Sequence, residues 1–359
     1  MLGLSRLTRL APSARRVGLS ATVEDPAALA DFLAGPRPAR VVEAPPGPDP
    51  DIGFLTTLTP PPWAGGGGRW AAAEILEQVK AARTTLIFVN TRALAELFYQ
   101  AIWAENTENL PIALHHGSLS REARSRVEAA MAAGALRAIV CTGSLDLGID
   151  WGDVDLVIQI GAPKNVKRLV QRIGRANHRY NAPSRALLVP ANRFEVLECQ
   201  AALEAVAAHD LDGTPRGPGP LDVLCQHILL TACASPFDAS ALFAEVKTAG
   251  PYRALSRAAF DDCLEFAATG GYALRAYDRW QRLVEVDGLW QLRDPRNTRA
   301  LRMNIGTIVD VETLKVRLRG RGGGHLGEVE ESFAARLTPG DTFLMGGEIV
   351  CFEGLRDMA

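Results

Sequence analysis

Between residues 69 and 190 the apolar positions alternate between two rhythms. Nearly continuous apolar runs, TTLIFVN (84–90), PIALHH (111–116), LRAIVCT (136–142), VDLVIQIG (154–161) and SRALLVP (184–190), read as short buried strands. Between them lie stretches with helical spacing: AAAEILEQVKAA, TRALAELFYQAIWAE, SREARSRVEAAMAAG and KNVKRLVQRIGRA. In SREARSRVEAAMAAG, Ser120 suits an N-cap and Gly134 a C-terminal stop. Strands buried on both faces that alternate with helices of about three turns predict a parallel sheet covered by helices. RVGLSAT (16–22), near the start of the chain, reads as one further short buried strand.

Beyond residue 220 the texture changes. LDVLCQHILLTACA, ASALFAEVKTAG and RAAFDDCLEFAATGG predict three helices, and RLVEV-DG-LWQLRD carries the Asp-Gly signature of a tight hairpin. Three helices and a hairpin make a winged helix. Asp261, Asp262 and Glu265 on the third helix make it a poor reader of a major groove, so the module is expected to act as a brace. Trp280 and Trp290 flank the hairpin, where hairpin packing and stacking on a nucleobase are both open to them. From Met303 onward, TLKVRLRG, HLGEVEESFAARL and DTFLMGGEIVCFEGL are strand-rich with Gly-rich turns, like a small barrel.

Two Pro- and Gly-dense breaks, residues 35–68 and about 209–222, divide these textures. The expected layout is a leading piece at 1–34, a connector at 35–68 ending in a loose GGGG loop, and a sheet domain at 69–210. A winged helix at 211–296 and a β-rich domain at 297–359 follow.

Composition narrows the function. The formal net charge is only -2, yet residues 163–194 carry eight Lys and Arg and no acid. Such a local patch can bind phosphate whatever the total charge is. No apolar run approaches the roughly 18 to 20 residues of a membrane helix. The six cysteines form no C-x-x-C pair, which argues against a zinc site or disulfide framework and points to the cytoplasm. His115, His116 and His178 read as strand-end and helix-end residues, not metal ligands.

The chemistry concentrates in QRIGRANHR (171–179), a Gln and three arginines whose guanidinium forks suit phosphate oxygens. CTGSLDLGIDWG places Thr142, Ser144, Asp146, Gly148 and Asp150 on the loop after a strand, where parallel sheets bind ligands. FVNTR and HHGS put further hydroxyls and an arginine at two more strand ends, suited to a nucleic-acid backbone.

Taken in order, SAT (20–22), FVNTR, HHGS, TGSLDLGIDWG and QRIGRANHR resemble motifs III to VI of superfamily 2 helicases. The SLDLGIDWG and GRANH forms are similar to the large helicase-related (Lhr) family and, within it, to ligase-associated DEXH-box DNA helicases. Later stretches (RMNIGTIVD, LGEVEESFAARLTPGDTF, FEGLR) extend the resemblance almost from end to end. It implies a RecA-like parallel-sheet domain, the second of a helicase, then a winged helix and the start of a barrel-like domain. Gly148 and Asp150 would lie near the nucleotide. Gln171, Arg172 and Arg175 would face the ATP phosphates, with Arg175 as arginine finger. Arg92, Ser118, Thr142, Ser144 and Lys164 would contact nucleic acid, and Ser20 and Thr22 would couple hydrolysis to movement. Where many superfamily 2 proteins have a second finger arginine this chain has His178, followed by Arg179 as a substitute ATP contact.

No Gly-Lys pair occurs among the five lysines, and there is no D-E-x-H or D-E-x-D motif, so neither a Walker A loop nor an acidic Mg²⁺ motif is present. RLTRLAPSARRVGLSAT therefore resembles the last helix and strand of a missing first RecA-like domain, and the Arg-rich opening is not a transit peptide. The chain is expected to be a fragment at both ends, with residues 1–58 poorly ordered or pairing opportunistically. The implied whole is an ATP- and Mg²⁺-dependent 3′ to 5′ translocase on single-stranded DNA that unwinds duplexes or hybrids in DNA repair. A repair ligase or nuclease is a candidate partner, and no membrane is involved. Alone, this chain is expected to be inactive. The alternatives are a stand-alone nucleic-acid-binding module without ATPase activity, an RNA-directed helicase, and a protein-docking role for the winged helix and barrel.

Overall fold

The computed structural model of the chain describes residues 1–20, 22–34, 38–45, 47–146, 154–176, 183–213, 217–271, 274, 277, 281–303, 313–319 and 324–355. Two compact units emerge, Met1–Glu43 with Gly213–Asp310, and Ala44–Asp212 with Val311–Ala359. The leading segment thus folds with the winged helix, and the β-rich end folds with the sheet. Linear boundaries drawn from composition do not reveal such pairings.

The chain starts with α1 (Leu2–Leu10) and α2 (Pro26–Leu33), the second capped by Asp25, whose side chain accepts from Ala28 N. The sheet unit then runs β1 (Asp51–Phe54), α3 (Ala72–Ala81), β2 (Thr85–Phe88), α4 (Arg92–Glu105), β3 (Ile112–His115) and α5 (Arg121–Ala132). It continues with β4 (Ala138–Cys141), β5 (Leu156–Ile160), α6 (Val166–Ile173), β6 (Arg185–Val189) and α7 (Phe194–Ala207). The six strands are parallel in the order β1-β6-β5-β2-β4-β3. All four residues of β2 and β4 and all five of β5 are buried, as strands with helices on both faces must be. Ile75, Val79, Phe98 and Ile102 fill one side of the sheet; Phe88, Leu145, Leu169 and Ile173 fill the other. Burying this apolar surface at roughly 25 cal/mol per Å² is the main drive to the fold. Ser120 caps α5 by accepting from Ala123 N, and Gly134 takes the left-handed conformation just past its end.

The other unit adds α8 (Leu221–Ala232), α9 (Ala239–Lys247), α10 (Arg257–Thr269), the hairpin β7 (Leu283–Val286) and β8 (Leu289–Leu292), and α11 (Thr298–Met303). Asp287 and Gly288 both have positive φ, the backbone that a tight hairpin turn requires. Trp290 exchanges backbone hydrogen bonds with Phe237 and packs against the helical core, so it serves the wing's own packing. Trp280 lies outside the described residues.

The chain closes with β9 (Thr313–Arg317), β10 (His325–Glu330), α12 (Glu331–Ala334), β11 (Thr342–Met345) and β12 (Glu348–Cys351). β9 and β10 pair antiparallel, as do β11 and β12, around a small core of Leu314, Val329, Met345 and Val350.

The opening residues correct three expectations. RVGLSAT forms no strand over 17–20, where Val17 and Leu19 are exposed; no neighbouring strand offers them a ladder. Residues 1–58 are nonetheless partly built into the fold. Leu2 enters the winged-helix core, Arg6 and Arg9 pair with the buried Glu245 at 3.3 and 3.1 Å, and β1 extends the sheet beside β6. The GGGG segment is not loose at its end. Gly67 and Gly68 are buried with positive φ, and a Cβ on Gly68 would sit 2.4 Å from Ile160 Cγ2.

Candidate nucleic-acid cleft and the buried arginine behind it

At the C-terminal ends of β2, β3 and β4 an open cleft is lined by Asn90, Thr91, Arg92, Gly117, Thr142, Gly143, Ser144 and Glu330. Side chains also tie the end of β2 to those of β5 and β6. Asn90 Nδ2 donates to Ala162 O at 2.8 Å, and the Glu195 carboxylate accepts from the amides of Ala162 and Ala191, both at 2.9 Å. Thr91 caps α4 by accepting from Leu94 N, which sets Arg92 on the first turn at the cleft mouth. Arg92 Nη1 donates to Ser118 Oγ at 3.0 Å.

Of the residues expected to touch nucleic acid, Arg92, Thr142 and Ser144 line this cleft, and Ser118 stands beside it as the hydrogen-bond partner of Arg92. Ser144 faces the cleft, but its hydroxyl donates to His115 O at 3.2 Å and sits 2.8 Å from His115 Nδ1. Burial pushes the His115 imidazole below its ordinary pKa, with Glu128 at 3.1 Å on its other nitrogen partly opposing the shift. Burial likewise pushes the Cys141 thiol beneath the cleft far above its ordinary range, so it is no nucleophile.

Arg172 departs from expectation. Its side chain is only 3% exposed, and its Nε donates to Asp146 Oδ1 at 2.8 Å while Nη1 donates to Gln159 Oε1 at 2.6 Å. Its guanidinium also lies 4.7 Å from the centre of the Phe88 ring. Its guanidinium is thus engaged within the domain by Asp146, Gln159 and the Phe88 face. It holds the turn Gly143–Leu145, which carries the cleft wall, against α6. Gln171 and Arg175 on the same helix and its end are half-buried, and Arg175 Nε reaches Gln171 O at 3.4 Å.

The described basic residues of 163–194 do not form one surface. Arg168 joins Arg172 on Asp146 at 3.3 Å, and Arg185 sits at the start of β6, at the N-terminal end of the strands, opposite the cleft. Arg193 lies over the Trp63 ring. Lys164 is exposed just before α6. Gly148, Asp150, His178 and Arg179 fall outside the described residues. Ser20, exposed, and Thr22, half-buried, belong to the other compact unit.

Sequence reasoning missed Asn90, Gln159, Glu96 and Glu330. Asn90 stands inside the quoted FVNTR motif, and Gln159 is the one polar residue of an otherwise apolar strand; both signals were visible. Glu96 is a buried carboxylate that accepts from Gly346 N and Gly347 N, both at 2.6 Å, and lies 2.9 Å from His116 Nε2. It latches the β11–β12 turn onto α4, and nothing in its local sequence distinguishes it from a solvated helix acid. Among the described residues no group of three or more His, Cys, Asp or Glu is arranged to hold a metal ion. No helix among them is long and apolar enough to cross a membrane.

A parallel sheet of this order, a strand-end cleft of hydroxyls with one arginine, and a winged helix together define a RecA-like helicase C-terminal domain joined to a winged-helix module. Two sequence profiles agree: "Helicase conserved C-terminal domain" over residues 70–180, and "Large helicase-related protein, winged helix domain" over residues 204–359. The chain belongs to the large helicase-related (Lhr) helicase family. It is 35% identical to the ATP-dependent helicase Lhr-Core protein 2 of Thermococcus barophilus, over 99% of this chain and 42% of that protein. The ATP-dependent helicase Lhr-Core of Methanocaldococcus jannaschii is 33% identical with the same coverage, 99% and 42%. The solved Mycobacterium smegmatis helicase Lhr, bound to single-stranded DNA and AMP-PNP, is similar at TM-score 0.76 and 34% identity, over 86% of this chain and 41% of that one. The chain thus spans less than half the length of these relatives.

Proposed function

We propose that this chain is the C-terminal part of an ATP-dependent DNA helicase that translocates 3′ to 5′ on single-stranded DNA in DNA repair. The observation that carries the reading is the convergence of Arg92, Thr142 and Ser144 on one cleft at the strand ends, with Ser118 hydrogen-bonded to Arg92 beside it. Hydroxyls and a guanidinium there suit a phosphate backbone. The single-stranded DNA and AMP-PNP in the solved relative support DNA and an adenine nucleotide as ligands. ATP with Mg²⁺ would supply the phosphoryl-transfer energy. Arg175 would stabilise charge on the transferring phosphate, Gln171 would sit beside it, and Gly148, Asp150 and Arg179 would complete this side of the nucleotide site. The Walker loop and Mg²⁺ carboxylates would come from a first RecA-like domain. Arg172 fits a positioning role, since the chain of contacts Arg172–Asp146–Gly143–Leu145 connects α6 to the cleft.

Ser20 and Thr22 would couple hydrolysis to movement, Lys164 would add a peripheral phosphate contact, and a ligase-associated, cytoplasmic repair role with a ligase or nuclease is the finer expectation. ATP hydrolysis by the purified chain, with and without single-stranded DNA, tests the core of this reading. Background turnover beside salt-sensitive DNA binding is the expected result. DNA-stimulated turnover lost in Arg175→Ala would mean that the chain holds a whole nucleotide site, and the divided-motor reading would fall.

A further inference from the structure

Arg92 and Glu330 are the two charged residues on the described lining of the cleft. Their ion pair, Arg92 Nη2 to Glu330 Oε1, is 3.4 Å long with side chains 36% and 49% exposed. The carboxylate reaches the cleft from β10, far along the chain, and its position is built. Glu328 N donates to Ser118 O at 2.9 Å and Ser120 N donates to Leu326 O at 3.0 Å, so β10 is stitched to the loop that carries Ser118. Gly327 makes that approach possible, because a Cβ there would lie 2.0 Å from Ser118 O. The Glu96 latch on Gly346 and Gly347 fixes the neighbouring hairpin. An acid held in this way cancels the charge of the one cation on the cleft wall, which a mere phosphate trap would leave uncancelled.

We propose that Glu330 is a tethered competitor for Arg92 and sets how tightly, and for how long, the cleft holds a backbone phosphate. The inference rests on the reading of this cleft as the nucleic-acid contact. A strand-tracking protein must release each phosphate as readily as it takes it. A carboxylate that re-occupies the guanidinium when the phosphate leaves lowers the barrier to that release. Exposure of both side chains keeps the pair exchangeable, whereas a buried pair would be locked.

The test is binding of a fluorescently labelled oligothymidylate to the whole chain, followed by anisotropy across a salt series, for Glu330→Gln, Arg92→Gln and the double variant. Glu330→Gln is isosteric at a half-exposed position, and circular dichroism confirms that the fold is kept. It should bind roughly two- to fivefold more tightly at low salt, as expected for removal of an exposed competing ion pair. The slope of log affinity against log salt should steepen by up to about 0.7, one more effective cation on a single strand. In the Arg92→Gln background the gain should disappear. Unchanged or weaker binding by Glu330→Gln, or a gain that survives without Arg92, would overturn the competitor role; weaker binding would show that the carboxylate accepts a hydrogen bond from the strand. If Arg92→Gln alone leaves affinity untouched, the cleft itself has been misread, and that result is separate.

Discussion

The sheet unit holds two Arg–carboxylate pairs of the same chemistry and opposite circumstance. Arg172 and Asp146 are 3% and 8% exposed, with Gln159 and the Phe88 face taking up what remains of the guanidinium. Arg92 and Glu330 are 36% and 49% exposed, with the Ser118 hydroxyl as a neutral partner of the guanidinium. The first pair cannot dissolve without leaving a charge in a dry site, so it behaves as part of the framework. In the second, each partner can return to water at little cost, so it can exchange with a ligand. Burial, not residue type, separates a brace from a contact.

Removing one partner from each pair sharpens the difference. Arg172→Ala should destabilise the sheet unit by about 3 kcal/mol, since Asp146 is left buried with only the half-exposed Arg168. Urea unfolding reads this directly, and a loss below about 1 kcal/mol would erase the distinction from Arg92. Glu96→Ala removes charge-assisted hydrogen bonds to the amides of Gly346 and Gly347 and should cost about 2 kcal/mol. Its effect should be local, with faster amide exchange over residues 342–351 and unchanged protection in β2 and β4; uniform loss would mean the latch is part of the main core. Arg92→Ala should change stability by less than about 1 kcal/mol while weakening oligonucleotide binding. A large stability loss there would make Arg92 a second brace.

A purely pH-dependent effect, absent at neutral pH, lies in the winged-helix unit. Burial, with lesser contributions from Arg6 and the N-terminal amine, pushes the His227 imidazole down to about 4. Between about pH 6.5 and 4 the unfolded chain binds the proton that the folded chain refuses, so stability falls as pH drops through that window. In thermal melts across this range the wild type should lose stability relative to His227→Gln as the pH falls. Parallel curves would exclude His227 as the titrating group.

Much of the fold was legible along the chain because its signals are local. Five of the six sheet strands stand out as apolar runs, the Ser120 cap and Asp287-Gly288 turn announce themselves, and the motif spacing identifies the family. β1 escaped notice because DIGF is a short edge strand inside a Pro-rich stretch, without the continuous apolar run of a central strand. The partners of Arg172 escaped notice for a related reason. A motif gives its neighbours in sequence, whereas its fate depends on Asp146 and Gln159, each contributed by another element. Local pattern therefore determined the order of elements, the parallel sheet, the winged helix and the family. Tertiary structure alone decided that residues 1–43 fold with the winged helix, that Glu96 is a latch, and which arginine is buried and which faces the cleft. Those outcomes depend on desolvation and on partners tens to hundreds of residues away, and neither is encoded in any short stretch of chain.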